Sequence, residues 1–261
     1  MKKIKQTAQI LLVLGLVLTG TACGPAVNRD GEQHAASETV TATYRVPKQS
    51  AEPCLAEIEW VDFLMINDIR YVRNNEETKE VNPGQLGAEV GRVEYMLSDN
   101  ACTDHVTKNG DAAFLPAGTV IYALKGYKPE FRVAVNNKIY EVSENPNAAT
   151  MGDLLDIEGK MEKVSLVSGK DGSQIGDFSE EASSEFIRDL LILKYVGFDA
   201  VYEQTKHENS VFLRVQLRDG TSLRLVYYPK GNGFSAGAFG TERLRTLIMS
   251  QRAQIKAAAG L

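Results

Sequence analysis

The chain has 261 residues, a net charge of −5 and a sequence pI near 5.4. That length suits one large or two small domains, and 43% apolar with 24% charged residues is an ordinary globular composition. The acidic balance excludes the basic footprint of a nucleic-acid binder, so no nucleic-acid partner is expected.

The N-terminus departs from this average. Lys2, Lys3 and Lys5 precede an apolar-to-small run from Ile10 to Ala22. Those 13 residues are too few to cross a hydrocarbon core of ~30 Å as a helix. A basic start followed by a short apolar run has the form of a secretory signal peptide. The run ends in Leu18-Thr19-Gly20-Thr21-Ala22-Cys23-Gly24. Here the chain resembles the type II signal peptides of bacterial lipoproteins, whose lipobox ends in small residues and a Cys. Gly20 stands where that family usually carries Leu, and Leu18 lies two places earlier. The resemblance implies cleavage before Cys23, lipidation of Cys23 with diacylglycerol and further acylation such as palmitate. It also implies a location on the extracytoplasmic face of the cell membrane. Two or more acyl chains hold a protein stably, at ~0.8 kcal/mol per buried CH₂.

Loss of residues 1–22 removes three Lys and no acid, taking the net charge from −5 to −8. Such a body does not favour anionic head groups, so a spacer is expected. Residues 23–53 supply one: they are rich in Ala, Ser, Thr, Gln and Glu, without apolar periodicity. That composition buries too little surface to offset chain entropy, and thirty such residues would span ~30 Å. Cys54 and Cys102 are the remaining cysteines. Export would place them where disulfides persist, and a bond between them would stabilise by roughly 4 kcal/mol in the chain-entropy model.

The first folded half, 54–150, reads as β-rich. A hairpin is expected across Glu57–Arg73, turning at Asn67-Asp68, with both faces largely apolar. Trp60, the one Trp, suits a core anchor or a stacking platform for a sugar. Val90–Leu97 reads as a strand. The polar stretch Ser98–Asn109 holds Asp99, Cys102, Asp104 and His105, whose spacing matches no metal motif; it reads as a solvated loop, and no metal or cofactor is expected. The clearest β signals run from Asn109 to Val142. Strands are expected at Ala112–Leu115 and Gly118–Lys125, then a hairpin about Asn136-Asn137. Asn accepts the left-handed conformations of a two-residue loop. The register then pairs Val133 with Tyr140, Phe131 with Val142 and Arg132 with Glu141. Phe131, Val133, Val135, Tyr140 and Val142 share one face. The charged pair sits on the other, for roughly 0.2–1 kcal/mol.

The second half, 151–261, reads as β–β–α–β–β–β–β–α. A hairpin turns at Lys170-Asp171-Gly172. Ser179 caps a helix carrying Ala182, Phe186, Ile187, Leu190, Leu191 and Leu193, with Gly197 as its stop. Phe198–Gln204 reads as a strand. In the next hairpin a three-residue loop, Arg218-Asp219-Gly220, sets Leu217 against Thr221, Val215 against Leu223 and Leu213 against Leu225. A shorter loop would mix the faces. Arg214, Gln216, Ser222 and Arg224 then share a wet face, and Gly220 should be left-handed. Phe234–Phe239 reads as a strand, and Thr241 caps a last helix. The fold class is α+β: two mostly antiparallel β subdomains, the second with two helices packed on a sheet.

Reactive motifs are sparse. Gly233-Phe234-Ser235-Ala236-Gly237 matches G-x-S-x-G, but a nucleophile elbow needs a strand before the Ser, a helix directly after it and a later His. The three His are His34, His105 and His207, all earlier, so the match reads as chance. His207 reads as solvated. No enzymatic activity and no catalytic residue is assigned; an envelope hydrolase built on a carboxylate pair is the less favoured alternative.

Two resemblances bear on binding. Leu115–Val142, Leu-Pro-x-Gly-Thr followed by strand, turn and strand pair, is similar to bacterial SH3-like wall-binding modules. That implies peptidoglycan contact through Tyr122 and Tyr127. The body from Cys54 also resembles uncharacterised Gram-positive envelope lipoproteins, on Trp60–Phe63 (W-x-x-F) and Lys108–Leu115. The expected role is non-catalytic binding at the envelope, of an envelope protein or a cell-wall polymer.

Overall fold

The computed structural model describes residues 59–76, 80–98 and 100–261. The stretches expected as signal peptide and spacer, with Cys23 and Cys54, lie outside the described residues.

Two sheets carry the fold. The first opens with the hairpin β1 (Phe63–Ile66) and β2 (Ile69–Arg73). Asn67 and Asp68 both have positive φ, 53° and 61°, as a two-residue turn matched to strand twist requires. The chain continues through β3 (Leu86–Arg92), β4 (Tyr95–Met96), β5 (Asp111–Ala112), β6 (Val120–Leu124), β7 (Arg132–Val135) and β8 (Lys138–Glu144). The order is β3-β6-β7-β8-β2-β1-β5-β4, antiparallel except for the β4–β5 pair. Both edges therefore come from one stretch, Leu86–Met96. At Val93 it leaves β6, with Gly118 N donating to Val93 O at 2.7 Å. Then Glu94 N donates to Gly110 O, also at 2.7 Å. The sheet curls until one segment serves both ends, which removes exposed edges. Leu64, Ile66, Tyr71, Val93, Ile121, Val133, Val135 and Tyr140 form its core.

The β7–β8 hairpin has the expected register, with Arg132 opposite Glu141 and Val133 opposite Tyr140. Asn136 and Asn137 are left-handed. Phe131 departs from the expected face: it joins the core of the other half, beside Met151 and Leu155.

The second sheet comprises β9 (Met161–Val167), β10 (Gln174–Asp177), β11 (Val211–Leu217), β12 (Ser222–Tyr228), β13 (Gly233–Phe234) and β14 (Ala238–Phe239). They lie in the order β10-β9-β11-β12-β13-β14. The β11–β12 register is the one the three-residue loop demands, and Gly220 has φ +83°. Strict alternation buries Val211, Leu213, Val215 and Leu217. Against that face pack α2 (Glu180–Leu191) and α4 (Glu242–Ala258). Ser179 Oγ accepts from Ala182 N and Thr241 Oγ1 from Leu244 N, each at 3.1 Å. Such caps contribute about 1 kcal/mol each.

Two further helices were not expected: α1 (Met151–Leu154) and α3 (Phe198–Thr205). The strand reading of 198–204 is therefore wrong. Val201 and Thr205, four apart, are buried, while Phe198 and Tyr202 stack on the other side. The period is helical, and a run this short did not reveal it. Gly197, expected to end α2, has φ +86° and instead precedes α3.

Both sheets belong to one compact unit, and polar side chains tie them. Arg132 is completely buried. Its Nη1 donates to Thr221 Oγ1 at 2.7 Å, and Nη2 donates to the Glu141 carboxylate. Its guanidinium lies 4.9 Å from the Tyr127 ring and 4.8 Å from that of Phe131. Asn74 Nδ2 donates to Glu141 Oε1 at 2.8 Å and to Ser222 O at 2.7 Å. Glu76 accepts from Arg214 Nε at 2.8 Å and from Arg224 at 2.7 Å. The face expected to be wet thus meets the first sheet, and the Arg132–Glu141 pair, expected across from the apolar face of the hairpin, lies in the joint between the sheets.

Burial holds the Glu141 carboxyl above its ordinary range, and Arg132 and Asn74 offset only part of that rise. Removing Arg132 strands a buried carboxylate, at a cost of roughly 3–5 kcal/mol. Without the cation Glu141 holds its proton more tightly in the folded state, so folding is favoured at low pH and weakened as pH rises through that raised value. Arg132→Met is therefore expected to lower the urea midpoint strongly at pH 7 and less at pH 5. Equal losses at both pH values would contradict this account.

Candidate binding cleft

The tip of the β1–β2 hairpin faces the chain around the start of α3 across a cleft of about 720 Å³. Met65, Asp68 and Arg70 come from the hairpin, and Glu144 from the end of β8. The loop after β8 supplies Asn145, Pro146 and Ala148, and the opposite side is Tyr195 to Asp199.

Local hydrogen bonds hold each wall. Asn145 is buried, and its Oδ1 accepts from Asn147 N at 3.0 Å. This side-chain turn sets Pro146 and Ala148 at the cleft. After α2 the chain extends: Tyr195 N donates to Ala149 O at 2.9 Å and Val196 N to Gly237 O at 2.8 Å. Tyr195 is thereby clamped between the β8–α1 loop and β14, and burial pushes its hydroxyl pKa up. At the hairpin, Asp68 N donates to Asn109 Oδ1 and Asn109 Nδ2 donates to Asp68 Oδ1, each at 2.7 Å.

The cleft is apolar with an acidic margin. Met65, Pro146, Ala148, Tyr195, Val196 and Phe198 line it beside Asp68, Glu144 and Asp199, against one cation, Arg70. Arg70 lies 3.8 Å from Glu144 and 4.4 Å from the Phe63 ring. Among the described residues Asp68 and Asp199 join no ion pair. Asp199 sits in the first turn of α3, where the helix dipole favours its charge. At the lip, Phe198 and Tyr202 stack with centroids 5.4 Å apart while remaining 36% and 45% exposed. Val196, 37% exposed, continues the ledge. Exposed apolar groups gathered beside a cleft mark a binding surface better than scattered ones.

The residues singled out from sequence lie elsewhere. Tyr122 is half-buried on β6, opposite Glu89 and Ala134. Tyr127 is committed to the joint between the sheets. Its hydroxyl donates to Asp219 Oδ2 at 2.7 Å, and Arg132 and Lys160 Nζ each lie 4.9 Å from its ring. Burial and the Asp219 acceptor push its pKa up to about 12. Trp60 is partly buried, its ring centroid 6.2 Å from that of Phe63. Cys102 is partly buried and is not a free thiol.

The loop around Cys102 is more ordered than a solvated reading implies. His105 Nε2 lies 2.7 Å from Oδ2 of buried Asp111, and Tyr95 stacks on the imidazole at 5.5 Å. Lys108 N also donates to Asp111 Oδ2, at 2.9 Å. The carboxylate thus staples the loop to β5. Among the described residues no three His, Cys, Asp or Glu side chains gather to hold a metal ion. His207 is exposed. Ser235 lies in the turn between β13 and β14, where β14 stands in place of the helix of a nucleophile elbow.

Comparison with protein-family models, curated proteins and solved structures finds no match. The cleft is therefore read from its own chemistry. Sequence reasoning missed it because its walls come from four separated segments: the β1–β2 hairpin, Thr107, residues 144–148 and residues 195–199. No local signal set it apart: Phe198 and Tyr202, four apart, share a face in a helix and in a strand alike.

Tyr127 and Tyr202 should differ in kind. Tyr127→Ala opens the joint and is expected to cost roughly 2–4 kcal/mol, in the range of aromatic truncations in cores. Tyr202→Ala on the exposed ledge should cost under about 1 kcal/mol. Urea unfolding of both variants is the check; equal effects would mean the two tyrosines are not so divided.

Proposed function

We propose that this chain is a lipid-anchored extracytoplasmic lipoprotein whose body binds a target at the cell envelope without transforming it. The Lys2–Lys5 start, the Ile10–Ala22 run and Cys23 support the anchor. Cys54 and Cys102 form a disulfide in this reading, consistent with Cys102 not being a free thiol. The observation that carries the binding role is the cleft at the hairpin tip. Its volume of about 720 Å³ is in the range of ligand sites, and apolar walls with a few convergent polar groups are their usual make-up.

A second reading, binding of a cell-wall polymer, is favoured by one feature. The stacked and exposed Phe198–Tyr202 pair offers an apolar platform on which a sugar ring could rest, a role that the engaged Tyr127 cannot fill.

The anchor is tested by Cys23→Ala, which should move the protein from the membrane fraction to the medium and abolish palmitate labelling. Retention in the membrane would remove the anchor. The intact unreduced protein should gain two hydrogens on reduction if Cys54 and Cys102 are bonded. The binding role is tested by a photo-crosslinking residue at Phe198 in living cells, with Val61, 59% exposed, as the control position. A discrete adduct from position 198 alone is expected. Identical patterns from both positions would sink the assignment of the cleft, and an adduct to purified sacculi would select the wall-polymer reading.

A further inference from the structure

We infer that the cleft recognises a basic, apolar polypeptide segment: a stretch bearing Lys or Arg beside apolar side chains. This rests on the binding role assigned to the cleft above.

The argument is charge complementarity on an apolar surface. Three carboxylates, Asp68, Glu144 and Asp199, border the cleft against one guanidinium. Arg70 is already engaged by Glu144 and the Phe63 ring. Asp68 and Asp199 face no cation among the described residues. Asn109 satisfies one oxygen of Asp68 through a neutral amide, which supplies no counter-charge. The three carboxylates are exposed at the rim, where their field reaches an approaching cation over about a Debye length, ~10 Å at 0.1 M salt. An anionic ligand would meet like charge, which selects against it.

The ligand must also be apolar and extended. Met65, Pro146, Tyr195, Val196 and Phe198 offer no charge to a polar ligand. The ledge continues past the cleft to Tyr202, which does not line it. A small amine would fill the cleft and leave that ledge bare, whereas a peptide crossing from Asp68 to Tyr202 would use both. Apolar contacts supply affinity in this arrangement, and the two carboxylates supply sign selection.

The test uses the full-length mature chain carrying Cys23→Ser, with short fluorescein-labelled peptides of one Phe/Val framework. They carry Lys, Gln or Glu at alternate positions, and fluorescence anisotropy reads their binding. The Lys peptide should bind, the Gln peptide at least about 10-fold more weakly and the Glu peptide not at all. Asp68→Asn with Asp199→Asn should weaken the Lys peptide about 10-fold and leave the Gln peptide unchanged. Asn at position 68 keeps the left-handed turn that Asp68 occupies (φ 61°). Phe198→Ala should weaken both peptides. Raising salt from 0.05 to 0.5 M should weaken only the Lys peptide.

The failures separate. If all three peptides bind alike and Phe198→Ala weakens all of them, the cleft binds but the charge inference is overturned. If no peptide binds, or if Phe198→Ala leaves the Lys peptide untouched, both the inference and the cleft assignment fall. A concentration-dependent dimer seen by sedimentation and abolished by Phe198→Asp, without peptide binding, would assign the ledge to a second copy and overturn the inference.

Discussion

Arg132 lies with no exposed surface between the two sheets, and the described body is arranged around its guanidinium. A buried charge must be paired and hydrogen-bonded or it costs several kcal/mol. Here Glu141 supplies the counter-charge, Thr221 and Ser222 supply acceptors from the second sheet, and Tyr127 and Phe131 cover the faces. Every partner constrains where its own segment can lie. Glu141 sits directly across the hairpin, Tyr127 follows β6, and Thr221 opens β12. An apolar joint could slide; this one has a single geometry in which the charge is met.

The same joint explains why the curled sheet and the open sheet act as one body. The first sheet closes on itself through the Leu86–Met96 stretch, and its core is its own. Its outer side carries smaller apolar clusters of its own, among them Leu124, Ala134 and Ile139 under Val81. The contact with the Arg214–Arg224 face of the second sheet is polar: Glu76 accepts from both arginines and Asn74 bridges Glu141 to Ser222. Phe131 crosses the boundary and packs in the other core. With the sheets held this way, the β1–β2 tip and the start of α3 are brought to face each other, and the cleft follows from the docking.

How much of this was legible can be argued residue by residue. Asn67-Asp68, Asn136-Asn137 and Arg218-Asp219-Gly220 each announce a turn of known length, and turn length sets register. The caps Ser179 and Thr241 announce the two long helices. These are local rules, satisfied within a few residues, and the structure follows them. The reading faltered where local evidence was thin or context overrode it. Phe198–Thr205 is too short for its helical period to outweigh its aromatic and β-branched content. Tyr122 and Tyr127 were legible as strand and turn aromatics, but not which of them would be enclosed. His105 looked solvated because Asp111, six residues on, carried no sign that it would be buried.

The α+β class, the hairpin registers, the capped helices and the alternating core faces follow from spacing and from side-chain chemistry close along the chain. Only the tertiary structure decided that Arg132 and Glu141 would be interior, that Tyr127 would serve the joint, and that Met65, Glu144, Tyr195 and Phe198 would meet around one cleft. Those outcomes depend on residues about 50 to 150 positions apart, and nothing in either partner's neighbourhood records the other.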